Sequence, residues 1–207
     1  MNILRRPLQC FSVLALLLLH ASLGFASQAN ERDRQVLEAL FSHMLRDPKF
    51  SFTEPTSKQP QIVLHTRTPI GTVFLSPNQI SADSGRRTLS EELVAALRRR
   101  NTPDKLGSDP YESVGASYGG LSFSSNIVVS DVTHVRKQQL EFSAFKKAYP
   151  RARGWLEVFL PGYSRDGDRA MVRAFAGPSP HGAVLTAELR NLDGRWFVDW
   201  HHLAFLL

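Results

Sequence analysis

Between Asn30 and Asp47 the apolar residues Val36, Leu37, Leu40, Phe41, Met44 and Leu45 recur at three-and-four spacing, with polar and charged residues between them. That period predicts an amphipathic helix with Asn30 as its cap. A Pro, Ser, Thr and Lys stretch from Pro48 to Pro60 reads as a loop. Beyond it, Ile62, Val63 and Leu64, and then Val73, Phe74 and Leu75, read as short strands. A second helix is predicted over Thr88–Asn101. Thr88 and Glu91 are spaced as a capping box, acids stand early, and Arg98, Arg99 and Arg100 stand late, as the helix dipole favours. After a Gly, Ser, Asp and Pro stretch from Asn101 to Gly120, Leu121–Val132 reads as a strand. Gln138–Tyr149 reads as a short helix showing Phe142, Phe145 and Tyr149 on one side and ended by Pro150.

The C-terminal quarter alternates with period two. Runs near Trp155–Tyr163, Arg169–Phe175, Ala183–Arg190 and Arg195–Phe205 are joined by short links at Asp166-Gly167, at 178–182 and at Asp193-Gly194. Links that short join antiparallel neighbours, so a four-stranded meander is predicted. In the last hairpin Ala183, Leu185, Ala187 and Leu189 share one face and fall beside Trp196, Val198, Trp200 and His202, the expected core face. A loop spanning Asn191–Gly194 is preferred there, because a two-residue turn sets Glu188 directly opposite Asp199.

Composition changes the picture at the N-terminus. Arg5 and Arg6, an apolar run from Phe11 to Leu19 and small residues near Ala26 and Ala29 have the layout of a secretory signal peptide. The run is well short of the roughly twenty residues a spanning helix needs. The expectation is a leader over 1–26, cleaved after Ala26 or Ala29, and a single domain over 27–207 that is periplasmic or extracellular and carries no membrane anchor. The single cysteine, Cys10, leaves with the leader, which excludes a disulfide framework, a thiol nucleophile and a thiolate metal site in the mature chain. The net charge of +6 falls to +4 without Arg5 and Arg6. That excess gives no reason to expect a nucleic-acid partner, and the arginine triplet is read as solvated side chains at a helix C-terminus.

The run Leu160-Pro161-Gly162-Tyr163-Ser164, Asp166-Gly167, Gly177-Pro178-Ser179-Pro180-His181-Gly182-Ala183 and Gly194-Arg195-Trp196 with Val198 and Trp200 resembles the C-terminal part of a family of small exported bacterial α+β proteins. The resemblance covers about the last fifty residues and implies no activity. The order of helix first and sheet last is also similar to cystatin-like and nuclear-transport-factor-like folds, in which a curved sheet wraps a helix.

Candidate chemistry is sparse. Gly115-x-Ser117-x-Gly119 matches a hydrolase nucleophile pattern, with Asp166 or Asp199 and His181, His201 or His202 following, but its flanks lack the strand-before, helix-after setting. Asp199 and His201, two apart on one strand, are read on the same face near Arg173, Thr186 and Glu188, where a carboxylate could orient an imidazole for acid-base work. His181 lies in a Pro-stiffened link suited to recognition, and His202 reads as a core histidine beside Trp200. Arg67 with Thr66 and Thr68 could hold an anion or form a plain strand-to-turn transition. Adjacent His201 and His202 point to opposite strand faces, so no metal site is expected, and no cofactor.

The sequence therefore predicts an α+β domain of two or three helices packed on one antiparallel sheet. Its expected function is exported, non-catalytic binding of a ligand or protein partner, through His181, Arg173 and Glu188. The alternative is a small pocket enzyme of hydrolase or isomerase type that uses Asp199 and His201.

Overall fold

Asn30 caps the first helix as its position suggests: its Oδ1 accepts from Asp33 N at 3.1 Å, and Asp33 Oδ2 accepts from Asn30 N at 2.8 Å. The result is α1, Glu31–Arg46, in a computed structural model that describes residues 29–47, 50, 58–69, 73–85, 87–102, 115–133, 141–178 and 182–205. The segment 1–26, expected to be a leader, and His181 lie outside the described residues, and no helix among the described residues is long and apolar enough to cross a membrane. In chain order there follow β1 (Gln61–His65), a 3-10 turn (Val73–Leu75), α2 (Pro77–Ala82), α3 (Glu91–Asn101), β2 (Ile127–Ser130) and α4 (Glu141–Ala148). The C-terminal part is β3 (Ala152–Val158), β4 (Gly162–Tyr163), β5 (Arg169–Gly177), β6 (Ala183–Leu192) and β7 (Arg195–Phe205).

The protein is of the α+β class with a C-terminal meander, and its seven-stranded sheet runs β2-β1-β3-β5-β6-β7, with β4 pairing on β5. The sheet is mixed rather than wholly antiparallel: β1 lies parallel to both β2 and β3. Parallel neighbours need long crossovers. The chain supplies them in the segment from 66 to 126, which carries α2 and α3, and in the segment through α4.

Helices cover both faces, unlike a sheet wrapped around a helix on one side. On one face Val36, Leu37, Leu40, Phe41 and Met44 of α1 pack on Leu64, Leu156, Val172, Leu185, Ala187, Leu189 and Trp196. On the other, Ile80 of α2 and Leu93 and Leu97 of α3 pack with Leu75, Phe159 and Met171, while Phe145 of α4 packs with Val63 and Trp155. Strand alternation sorts the residues cleanly, since Ala170, Val172, Ala174 and Ala176 of β5 belong to the first core and Met171 and Phe175 to the second.

Several local expectations change. Val73-Phe74-Leu75 forms a 3-10 turn rather than a strand, followed by α2, whose cap is Ser76 with Pro77 at its first position. α3 begins at Glu91 after Ser90, so no Thr88–Glu91 box forms. Of Leu121–Val132 only Ile127–Ser130 is strand, and Phe142 is exposed although Phe145 is fully buried.

Arg100 does not face water. Its guanidinium reaches from α3 around the end of the sheet to the fully buried Asp33 of α1, with Nη2 donating to Oδ2 at 2.7 Å. Tyr163 of β4 donates its hydroxyl to Asp33 Oδ1 at 2.7 Å. Burial disfavours the Arg100 charge, but the Asp33 carboxylate outweighs it and raises the pKa. Nearby, Asn101 donates to the Leu97 and Leu160 carbonyls and accepts from Leu160 N, all at 2.8 Å, tying the end of α3 to the sheet.

Candidate functional site

The last hairpin determines which side chains share a surface. A two-residue turn at Asp193-Gly194 joins β6 and β7, with positive φ at both residues (51° and 81°), as a type I′ turn requires. The Glu188–Asp199 opposition that argued against so short a turn does not arise. Leu189 pairs with Val198 and Glu188 with Trp200, so Asp199 is the extra residue of a β-bulge. Every residue after the bulge changes face. Trp196 and Val198 remain with the α1 core, but His201 and Leu203, paired with Ala187 and Leu185, take the inward positions expected for Trp200 and His202.

Trp200 and His202 instead stand with Glu188 and Thr186 on the α2/α3 face, their rings stacked at 6.3 Å and 8°. Gly85, at φ +62°, fits closely there, because a Cβ on it would sit 2.7 Å from His202 Cε1. His202 is therefore half-buried over a glycine rather than buried in the core.

Asp199 and His201 are consequently separated by the sheet. Asp199 accepts from Arg190 Nη2 at 2.9 Å and lies 3.6 Å from Arg87 Nη2. His201 sits under α1, its Nε2 at 3.4 Å from Asp47 Oδ2 and its ring at 5.0 Å from that of His43. Burial lowers the His201 pKa and the neighbouring His43 adds to this, while Asp47 opposes it.

Arg173 and Glu188 share the α2/α3 face but serve the protein's own chain. Arg173, fully buried, donates through Nε to Phe74 O and through Nη1 to Thr186 Oγ1, both at 2.6 Å, and pairs with Asp83. Burial lowers its pKa and Asp83 counteracts this. These bonds fasten the 3-10 turn and the end of α2 to β5 and β6. Glu188 Oε2 accepts from Arg87 at 3.1 Å and Arg169 at 3.2 Å, whereas Oε1 is buried without a hydrogen-bond partner among the described residues.

Above this charged layer α2 and α3 leave a cleft of about 630 Å³. Ile80, Leu89 and Val94 give it an apolar lining, and Arg87, Glu91 and Arg98 a charged one. Arg87 turns toward the sheet, its guanidinium carbon 5.1 Å from the Trp200 ring centre. Arg98 is exposed and makes no ion pair among the described residues. A volume of this size matches pockets that take small organic ligands.

The remaining motifs resolve into structure. Ser117 of the Gly-x-Ser-x-Gly motif forms an isolated bridge with Arg67 and bonds the Thr66 carbonyl through its hydroxyl at 3.3 Å, in a loop that no helix follows directly. Arg67 is exposed, whereas Thr68 is buried with its Oγ1 lacking a hydrogen-bond partner among the described residues. The residues that sequence reasoning misses are Asp33, Asp83 and Arg87, which carry the buried ion pairs, and His43 and Asp47, which meet His201. For the last two a signal existed, since positions four apart on α1 share a face. Comparison with protein-family models, curated proteins and solved structures gives no match for this chain.

Proposed function

We propose that the protein is an exported, non-catalytic binding domain, and that the cleft between α2 and α3 takes a small amphipathic molecule with an apolar body and a carboxylate. The observation that carries this reading is the pairing of an apolar lining, formed by Ile80, Leu89 and Val94, with the cation Arg98, unpaired among the described residues. A carboxylate meeting Arg98 gains a charge-assisted hydrogen bond, and the ligand's chain removes apolar surface of the cleft from water. Arg87 adds positive potential but is committed to Glu188 and Trp200. The alternative acid-base enzyme draws no support from Asp199 and His201, because opposite faces of the sheet carry them.

Calorimetric titration with decanoate, in buffer containing EDTA, tests the reading. Expected are one site per chain, a rise in melting temperature by linkage, and weakening of about tenfold or more in Arg98→Glu, equivalent to about 1.4 kcal/mol. Absence of binding, or equal binding by Arg98→Glu and Val94→Lys variants that retain the native circular dichroism, refutes it.

A further inference from the structure

We infer that His43, Asp47 and His201 form a binding site for one divalent transition ion of the zinc class, with two imidazole nitrogens and one carboxylate oxygen as donors. Each residue brings one ligand atom to within 4.8 Å of the others. His43 and Asp47 come from the last turn and the C-cap of α1, four positions apart and hence on one side of the helix. The bulge at Asp199 supplies the third donor, since without the face change after that residue His201 would point away from α1.

Three features beyond proximity point to a cation. The His43 Nε2 atom is buried and has no hydrogen-bond partner among the described residues, a condition that native structures rarely leave unanswered. The two rings meet edge-on at 71° rather than stacked, so their nitrogens are not hidden in a face-to-face contact. The site lies at the C-terminal end of a sixteen-residue helix, where the aligned peptide dipoles place negative partial charge. Phe50, 5.9 Å from the His201 ring, adds an apolar wall. The charged neighbour from the sheet is Arg153, whose Nη1 lies 3.4 Å from the Asp47 carbonyl oxygen.

The donor set selects the ion. Two imidazoles and one carboxylate suit zinc, cobalt, nickel, copper or iron, whereas calcium and magnesium require oxygen donors almost throughout. Three protein donors leave a tetrahedral ion one position for water or an outside ligand. The site is on the α1 face and the proposed ligand cleft on the other, so the two can succeed or fail separately.

The test is titration of the tag-free, EDTA-stripped protein with cobalt(II), followed by visible d–d absorption, then displacement by zinc. Expected are one equivalent of cobalt per chain and the ligand-field bands of a four- or five-coordinate ion. Asp47→Asn and His201→Gln are each expected to weaken binding at least tenfold and alter the bands, while His202→Gln on the opposite face leaves both unchanged. Asp47 lies at the helix C-cap, so Asp47→Asn discriminates even where His201→Gln disturbs folding. If no ligand-field band develops, or if bands and stoichiometry persist unaltered in Asp47→Asn, the trio is only a packing contact and the inference fails.

Discussion

Replacing Asp33 by alanine removes the carboxylate that joins the two helical layers. Its oxygens accept from both terminal nitrogens of Arg100, from the Tyr163 hydroxyl and from Asn30 N. The residue is fully buried, so water cannot replace those bonds without rearrangement. Taking one partner from a buried ion pair costs about 3–5 kcal/mol, because the other charge is left uncompensated. Loss of the Asp33 half of the capping box adds about 1 kcal/mol at most. Set against a total stability of about 5–15 kcal/mol for an ordinary domain, the variant loses a large fraction of its margin. Urea denaturation followed by tryptophan fluorescence gives the loss directly, with Arg100→Met measured beside it. The double variant Asp33→Ala/Arg100→Met is expected to be less destabilised than the sum of the singles by more than about 1 kcal/mol, since it strands no charge. Single-variant losses below about 1 kcal/mol, or strict additivity, would show that the pair does not couple α1 to α3.

Two glycines separate crowding from backbone strain. At Gly162 a Cβ meets the Leu97 backbone, so Gly162→Ala is expected to cost about 3 kcal/mol or more; at Gly194, φ +81° with nothing within 4 Å among the described residues, alanine costs only about 1 kcal/mol. Urea midpoints that rank them the other way contradict the packing of α3 on β4. Burial, reinforced by the Asp33 charge, raises the pKa of Tyr118 and Tyr163. The native state therefore holds protons that the unfolded chain releases above about pH 10, and stability declines as pH rises through that range. Spectrophotometric titration is expected to show both phenols ionising only as the protein unfolds, and Tyr118→Phe to flatten the decline. Deleting Asp199 is expected to leave cobalt binding in place, because without the extra residue Trp200 and His201 still pair with Glu188 and Ala187 and His201 keeps its face; loss of binding in a deletion variant that retains the native circular dichroism would contradict that register.

The parts legible in the sequence are those with local causes. The Asn30 cap, the α1 stripe and the strand runs of the meander follow from periodicity and turn residues within a few positions of each other. Ser76-Pro77 is also a local signal, a cap followed by a proline at the first helical position, but the apolar trio Val73–Leu75 before it suggests a strand. The parallel pairing of β1 with β2 and β3 has no local signature, since it depends on crossovers of dozens of residues. Arg100 illustrates the same limit: a helix C-terminus explains three arginines in water, and only the tertiary position of Asp33 draws one of them inside. The Asp199–His201 pair fails for another reason. Strict alternation places both on one face, and the like-charge argument correctly rejects Glu188 opposite Asp199, but the chain meets it with an inserted residue rather than a longer turn.

That inserted residue has a bearing on self-association. β7 is the outermost strand of the meander and carries Phe197 and Phe205, 49% and 61% exposed, the features that recruit foreign strands into cross-molecular sheets. A kink midway along a rim breaks the straight ladder that an incoming strand would need on both sides of it. The same irregularity that aims one imidazole at a helix thus limits polymerisation through an otherwise adhesive border.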